Sequence, residues 1–384
     1  MKTLEYEYDE QSTAADYRST KKATTSFPGE IIEEILSRLP VNSILRFRSV
    51  SKPWLSLIST PSFTKLHFTR ATAAHRTALF ISAYDFSTGK RHFLSAPHDG
   101  GPVTHLMTLD HPCFASIAAQ HLNGLVCFTY HTWSSHAHAF LVNPSTHKSF
   151  KLPAPGSSMF YLFGFDESRN EHKILSIRKL FKPPAVEIMI FSMTIYSWRK
   201  IHTEPPAFSW DGYHTKDGVC VNSVVYLMLE SYDILAFDFR TEKFSLINTP
   251  QDVLARADAV KNNPYIIKIN GCLGVCCHDF VDDINEMYIW ILQNYDNRIW
   301  IKETITFPEP WRRSGFAFSM DSINTDEIII SSSKFSKNVM TIPVYNRKSR
   351  CFRSLHFTPG HQFPLSRTLM FDKIGCYVES MLPL

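Results

Sequence analysis

Hydrophobic residues recur at helical spacing between Ser26 and Phe68, and they divide this segment into three short predicted helices. The first is predicted from about Pro28 to Leu39, because proline suits a first helical turn and Pro40 cannot continue the helix. The apolar residues on its broad face are Ile31, Ile32, Ile35, Leu36 and Leu39.

The second and third helices repeat this pattern. The second is predicted to turn inward Val41, Ile44, Leu45 and, at its end, Val50. The third begins after Ser51, a suitable N-cap, tolerates Pro53 in its first turn and carries Trp54, Leu57 and Ile58. These helices hold more apolar side chains than so short a segment can bury, so we expect part of their surface to pack against another protein.

Beyond residue 75 the pattern changes to short runs of Ile, Val, Phe and Tyr separated by turn residues, which is typical of an all-β domain. Six runs share one form, a strand, a polar turn and a returning strand, and they begin at Phe80, Ala139, Glu187, Asp233, Met287 and Met340. An aromatic residue follows each turn, at Phe93, Phe150, Trp198, Phe244, Trp300 and Phe352. Further predicted strand pairs lie between them and begin at His121, Leu162, Gly218 and Ile269.

The spacing of these aromatic residues, roughly 45 to 60 positions, suits one four-stranded blade per repeat. A single hairpin cannot bury both of its faces, whereas radially stacked blades bury them against each other. The pattern therefore predicts a β-propeller whose turn aromatics fill the gaps between blades. A pair of β-sandwiches or an irregular β-domain is the structural alternative.

The predicted organisation is a flexible polar leader over residues 1–25, a helical module over 26–68 and a β-domain over 76–384. The formal net charge of +4 is spread along the chain without a long basic run, so neither nucleic acid nor a membrane surface is an expected partner. No stretch resembles a signal peptide or approaches the length of a membrane span, and we expect a cytoplasmic or nuclear protein, or both.

Few residues suggest chemistry. Cys272, Cys276, Cys277 and His278 are the nearest approach to a metal site, but in a strand Cys272 and Cys276 point to one face and Cys277 to the other. No second ligand pair follows at zinc-site spacing, so we expect buried thiols, no metal and no other cofactor. The sequence also lacks a glycine-rich phosphate loop and the HExxH and GxSxG motifs, and we expect no catalytic residues.

Two predicted inter-strand loops carry side chains that are enriched at binding hot spots. They are Phe208, Trp210 and Tyr213 in one loop, and Trp311, Arg312 and Arg313 in the other. The simpler interpretation is that each aromatic packs beneath its own loop. As a group, these residues are the expected contacts to a bound protein.

The helical segment resembles the F-box, the module by which substrate receptors join Skp-cullin-F-box ubiquitin ligases. The matching features are Phe27-Pro28, the stretch EIIEEILSRLP, Val41 and the element SKPW, although Phe27 stands where leucine is usual and Pro53 fills the variable position before Trp54. The resemblance implies binding to the Skp adaptor, and through it to cullin and RING subunits. The adaptor-binding residues that it implies are Phe27, Pro28, Ile31, Ile35, Leu39, Pro40, Val41, Ile44, Leu45 and Trp54.

The β-domain resembles the F-box-associated domain of plant F-box proteins, whose repeats are kelch-like. The matching motifs, in order, are NGLVCF with NPST, FGFDESRNEHKI, SWRKI, ILAFDFRTEKF, INGCLGV and the terminal YVES. The resemblance implies a substrate-recognition subunit that captures a target protein for ubiquitination and is not itself an enzyme. Two alternatives remain open: a scaffold that acts without the ligase, and a propeller enzyme with convergent carboxylates or a metal in its central channel.

Overall fold

The structure is a computed structural model of the chain, and it describes residues 27–73, 77–110, 117–131, 137–153, 160–181, 184–206, 218–260, 264–278, 286–308, 320–323, 326–330, 334–336, 338–361, 363, 365 and 368–384. Its N-terminal helices are α1 (Gly29–Leu36), α2 (Val41–Phe47), α3 (Lys52–Ile58) and α4 (Pro61–Ala73). Three of them were predicted. The fourth was not, because its buried face includes the polar Thr64 and His67, which interrupt the apolar period.

The helix ends follow from local chemistry. Ser51 caps α3 as predicted, since its side-chain oxygen accepts the Trp54 backbone N–H at 3.3 Å. Helix α1 ends at Leu36, earlier than predicted, because the chain tightens there into three-residue turns in which the Leu39 N–H donates to the Leu36 carbonyl.

The strands make up most of the regular structure in the described residues that follow. The strands of the first half are β1 (Thr77–Asp85), β2 (Lys90–Ala96), β3 (Gly101–Pro102), β4 (Thr104–Leu109), β5 (Ile117–Leu122), β6 (Leu125–His131), β7 (Ala137–Asn143), β8 (Lys148–Lys151), β9 (Phe160–Asp166), β10 (Glu171–Phe181), β11 (Pro184–Ser192) and β12 (Ser197–Ile201). Those of the second half are β13 (Val219–Val221), β14 (Val224–Met228), β15 (Ile234–Asp238), β16 (Lys243–Ile247), β17 (Tyr265–Ile269), β18 (Cys272–His278), β19 (Glu286–Asn294), β20 (Ile299–Thr306), β21 (Met320–Ser322), β22 (Glu327–Ile330), β23 (Lys334–Ser336), β24 (Val339–Asn346), β25 (Cys351–Thr358) and β26 (Leu369–Val378). One further helix, α5 (Gln251–Val260), interrupts the β-domain and was not predicted.

These strands form six sheets, the blades of a β-propeller. From the centre outward they are blade 1 (β26, β1, β2, β4), blade 2 (β5 to β8), blade 3 (β9 to β12), blade 4 (β13 to β16), blade 5 (β17 to β20) and blade 6 (β21, β22, β24, β25). The small strand β3 adds to β25 and β23 pairs with β24. The innermost strands contact one another in a closed ring, β5, β9, β13, β17, β21 and β26.

The predicted hairpins all occur. In blades 2 to 6 they form the two outer strands, while in blade 1 the hairpin forms the second and third strands because the C-terminal strand β26 occupies the centre. The predicted strand pairs between the hairpins supply the inner strands of blades 2 to 5. The β-propeller prediction is therefore confirmed, and the sandwich alternative is wrong.

The core lies between the blades. Six hydrophobic clusters of described residues each join two neighbouring blades around the ring. All six predicted turn aromatics belong to these clusters, with Phe93 buried and Phe150, Trp198, Phe244, Trp300 and Phe352 partly buried. Their predicted role in filling the interblade gaps is confirmed.

The propeller has two distinct faces. The inner strands β5, β17 and β26 end near one another and near α4, because Asn123, Asn270 and Val378 line one cavity with Phe68. We call this the proximal face. Because neighbouring strands in a blade are antiparallel, the outermost strands end, and the innermost strands begin, on the opposite or distal face.

The C-terminal segment holds the helices to the propeller. Asn143 is fully buried, and its side-chain amide donates to the Ser380 and Leu382 carbonyls at 3.0 and 2.9 Å. Directly before Ser380, the Glu379 carboxylate accepts the first N–H of α2, that of Val41, at 2.8 Å.

The Asn123–Gly124 turn of blade 2 explains why the tail can approach so closely. Both residues have positive φ angles, 49° and 81°, as an Asn-Gly hairpin turn requires. A Cβ atom on Gly124 would lie 2.3 Å from that of Ser380, so a larger residue does not fit, whereas a Cβ on Gly271 in the equivalent turn of blade 5 meets nothing.

We expect Asn143→Ala to lower the free energy of unfolding by about 2 to 4 kcal/mol, because two buried carbonyls lose their donors. Asn346→Ala is the matched control, because the Asn346 side chain accepts a turn N–H, from Ser349 at 2.9 Å, and makes no described bond to the C-terminal segment. Its loss should be about 0.5 to 1 kcal/mol. Urea denaturation of the two purified variants measures both losses of unfolding free energy. Equal losses would contradict a stabilising role for the bonds between Asn143 and the C-terminal segment.

Candidate protein-interaction surfaces

The four N-terminal helices share a core of their own. Its fully buried members are Leu36, Val41, Ile44, Ile58 and Phe63, joined by Met381 from the C-terminal segment. The helical module is thus packed partly by a residue from the far end of the chain.

Polar contacts tie α1 to α4. The Glu34 carboxylate of α1 pairs with Arg38, in the turn just after the helix, and with Arg70 on α4. The hydrogen bond from Arg38, and then that from Arg70, lowers the pKa of Glu34. The Nε2 atom of His67 also lies 2.9 Å from the Leu39 carbonyl oxygen. These contacts fix the direction in which α1 presents its outer side.

That outer side carries an apolar strip. Phe27, Ile31 and Ile35 are 69%, 44% and 52% exposed. Ile31 and Ile35 are four residues apart and lie along one face of α1, and Phe27 directly precedes Pro28, the N-cap of the helix. We call these three residues the α1 strip. Large aliphatic side chains so exposed on one helix face mark a protein-interaction site.

The predicted adaptor-binding residues separate into three groups. Pro28 and Pro40 are exposed with the α1 strip, and Leu39, Leu45 and Trp54 are half-buried, Trp54 edge-on to the Phe47 ring at 5.4 Å. Val41 and Ile44 are fully buried in the helical core. In this conformation they pack with Ile58 of α3 and Phe63 of α4 and offer no surface to a partner, while their role as adaptor contacts stays a prediction.

Two exposed apolar residues near the start of α3 were not predicted. Val50 was expected to face inward but is 59% exposed, and Leu55 lies one position after Trp54 on the outward side. The helical pattern did not indicate that either side chain is exposed, since an outward aliphatic residue resembles an ordinary surface position.

The predicted target-binding residues Phe208, Trp210, Tyr213, Trp311 and Arg312, with Arg313, lie outside the described residues. The strands that flank the two segments are described. β12 and β20 end on the distal face, and β13 and β21 begin there. The described chain therefore leaves and re-enters the propeller on the face opposite α4 at both segments.

The distal face also carries a pair of exposed apolar residues in blade 1. Phe86 and Met370 are both exposed, and the Phe86 N–H donates to the Thr368 carbonyl at 3.0 Å, which joins the β1–β2 turn to the start of β26. Neither was predicted, because only strand pairing between distant parts of the chain brings them together.

The cysteines of β18 follow the predicted alternation. Cys276 and Cys272 face the cluster between blades 5 and 6, while Cys277 faces that between blades 4 and 5. Burial raises the pKa of Cys276 well above its ordinary value. Within the described ranges, no three His, Cys, Asp or Glu residues are placed to hold a metal ion.

An axial cavity of about 430 Å³ lies where the inner strands meet α4. Its described charged lining residues are Lys268 and Lys373, with no carboxylate among the lining residues that the structure describes. Among the described helices, none has both the length and the apolar character that a membrane crossing needs.

Comparison with known proteins agrees with this architecture. Residues 76–371 match the F-box associated beta propeller domain, and residues 25–66 match the F-box domain. The chain is 27% identical to F-box protein At5g65850 of Arabidopsis thaliana over 358 residues, covering 86% of each chain. It is also 27% identical to F-box protein At1g47340 of the same plant, covering 85% of this chain and 74% of that one.

Among solved structures, TolB from Acinetobacter baumannii is similar with a TM-score of 0.48 and 10% identity, covering 83% of this chain and 73% of TolB. This likeness is too distant to bear on function. The match to the β-propeller domain, by contrast, extends over most of the chain and follows directly after the match to the F-box. The chain belongs to the family of F-box proteins with an F-box associated β-propeller domain.

Proposed function

We propose that this protein is the substrate-recognition subunit of an Skp-cullin-F-box ubiquitin ligase. Its F-box binds the Skp adaptor, and through it the cullin and RING subunits, while the β-propeller binds a target protein for ubiquitination. The observation that carries the proposal is the α1 strip, an exposed apolar face on a helical module that is otherwise packed and tied to the propeller.

The α1 strip suits the packing of a helix into an apolar groove of a partner. Each aliphatic side chain that becomes fully buried contributes roughly 1.5 to 3 kcal/mol before the cost of association. The flanking Pro28 and Pro40 and the half-buried Leu39, Leu45 and Trp54 would extend this contact. Val41 and Ile44 act indirectly, by holding α2 under α1.

The target would bind the distal face. Loops on a rigid scaffold commonly carry recognition, and the strands that flank the segments with Trp210 and Trp311 end and begin on this face. The F-box and the target would then occupy opposite faces of one rigid body. This arrangement supports catalysis by proximity, in which the receptor places target lysines near a ubiquitin-charged enzyme and supplies no acid, base or nucleophile.

A propeller enzyme is less well supported. Hydrolysis of glycosides, for example, uses two carboxyl groups on either side of the scissile bond. The described lining of the axial cavity offers lysine, histidine and amide side chains instead.

We expect the double variant Ile31→Asp, Ile35→Asp to bind the Skp adaptor at least about a hundredfold more weakly, since two apolar contacts become buried charges. Both side chains are exposed, so the thermal unfolding of the chain should change little. The matched control is Ile195→Asp, which charges an isoleucine that is 62% exposed on blade 3. Calorimetric titration with the adaptor checks this, and wild-type affinity of the double variant would refute the proposed surface.

We expect Trp210→Ala with Trp311→Ala to remove bound target proteins while adaptor binding stays unchanged. Truncation of a hot-spot tryptophan costs about 2 kcal/mol or more, which is roughly thirtyfold in affinity for each. Tyr196→Ala, an exposed aromatic in a turn on the proximal face, is the control. Quantitative mass spectrometry compares the proteins that co-purify with the unaltered chain, with the double tryptophan variant and with the Tyr196→Ala control. An identical set of partners in all three would contradict target binding by these loops.

A further inference from the structure

The axial cavity is a large, partly open space in the described part of the chain that the proposed function does not use. Phe68 and Thr72 of α4 form its wall on the F-box side, and inner strands of the propeller form the rest. Its volume of about 430 Å³ lies in the range of small-molecule sites, which is a few hundred to about a thousand cubic ångströms.

Polar side chains from three blades converge on this space. Those that the inference uses are Gln120, His121, Asn123, Lys268, Asn270 and Lys373. They come from blade 2, blade 5 and the C-terminal strand of blade 1, so only the closed ring brings them together.

The two charged residues among the described lining of the cavity are both lysines, Lys268 and Lys373. Burial is the main cause that lowers the pKa of His121 to about 3, and the nearby charge of Lys373 lowers it further. Burial raises the pKa of Cys220 to about 11, and the charge of Lys268 acts against this rise. Glu167 also acts on Cys220, but it is exposed and does not line the cavity.

One polar group is already in place to donate, and a second lies buried beside the cavity without a described hydrogen-bond partner. The Gln120 side-chain oxygen accepts the Phe163 N–H at 2.7 Å, which fixes the amide and leaves its NH₂ end as the donor. The His121 ring lies between Phe80 and Tyr377, with ring centroids 5.4 Å from each, and its Nε2 is buried without a hydrogen-bond partner among the described residues. A buried polar atom left unpaired is unfavourable, and a hydrogen bond to a bound group would remove that cost.

We propose that the axial cavity binds a small phosphorylated metabolite, held by Lys268 and Lys373 and oriented by Gln120, His121 and the two asparagine side chains. Lysine ammonium groups bind phosphate as point charges, and amide and imidazole N–H groups donate to its oxygens. Because α4 forms part of the wall, the ligand would contact the F-box and the propeller at once. Its binding would therefore stabilise the placement of one on the other.

The test uses the purified full chain, with inorganic pyrophosphate and fructose 1,6-bisphosphate as phosphate probes and citrate as a carboxylate probe. Titration calorimetry should show saturable binding of at least one phosphate probe, tighter than that of citrate, and the same probe should raise the unfolding temperature. Lys268→Met with Lys373→Met should weaken binding at least tenfold. Lys148→Met with Lys243→Met removes two exposed lysines outside the cavity and should leave binding unchanged.

A further variant separates the cavity from general charge. His121→Phe keeps an aromatic ring between Phe80 and Tyr377 but removes Nε2, and it should weaken phosphate binding about three- to tenfold while the net charge stays the same. The proposal is overturned if no phosphate probe binds at millimolar concentration, if citrate binds more tightly, or if the control pair loses as much affinity as the cavity pair.

Discussion

The pairing of the last strand with the first strand of the propeller is the constraint on which the other features depend. β26 lies against β1 over the whole length of β1, from Thr77 opposite Val378 to Asp85 opposite Leu369, and it completes the ring of inner strands. The residues that follow β26 then run under the F-box, where Glu379 binds the start of α2 and Met381 enters the helical core. One continuous segment therefore closes the propeller and positions the F-box on it.

Local patterns in the sequence were sufficient to predict much of this fold. The outer hairpins and their aromatic residues depend on neighbouring positions and on a repeat, both of which can be seen in a single sequence. The contribution of Met381 to the helical core could not be predicted, and neither could the bond between Val41 and Glu379, because these partners are separated by most of the chain. The helical period had the same limit at the F-box. It identified Val41, Ile44, Ile31 and Ile35 as apolar, but it could not tell which pair other helices of the same chain would cover.

The two faces of the propeller give the proposed receptor its geometry. α4 and the ends of the inner strands line the axial cavity on the proximal face, while the strands that flank the two predicted target-binding segments end and begin on the distal face. Hydrophobic clusters between all neighbouring blades make the propeller a stiff spacer, since packed cores deform little. A bound target would thus be held at a fixed distance and direction from the α1 strip, which is what catalysis by proximity requires.

Hydrogen–deuterium exchange of the full chain, with and without the Skp adaptor, tests the central claim most directly. The account predicts that the adaptor slows exchange in peptides that cover residues 27–40, where the α1 strip lies, and leaves the distal strand ends of the propeller unchanged. Unchanged exchange over residues 27–40 in a saturated complex, or protection confined to the propeller, would contradict it.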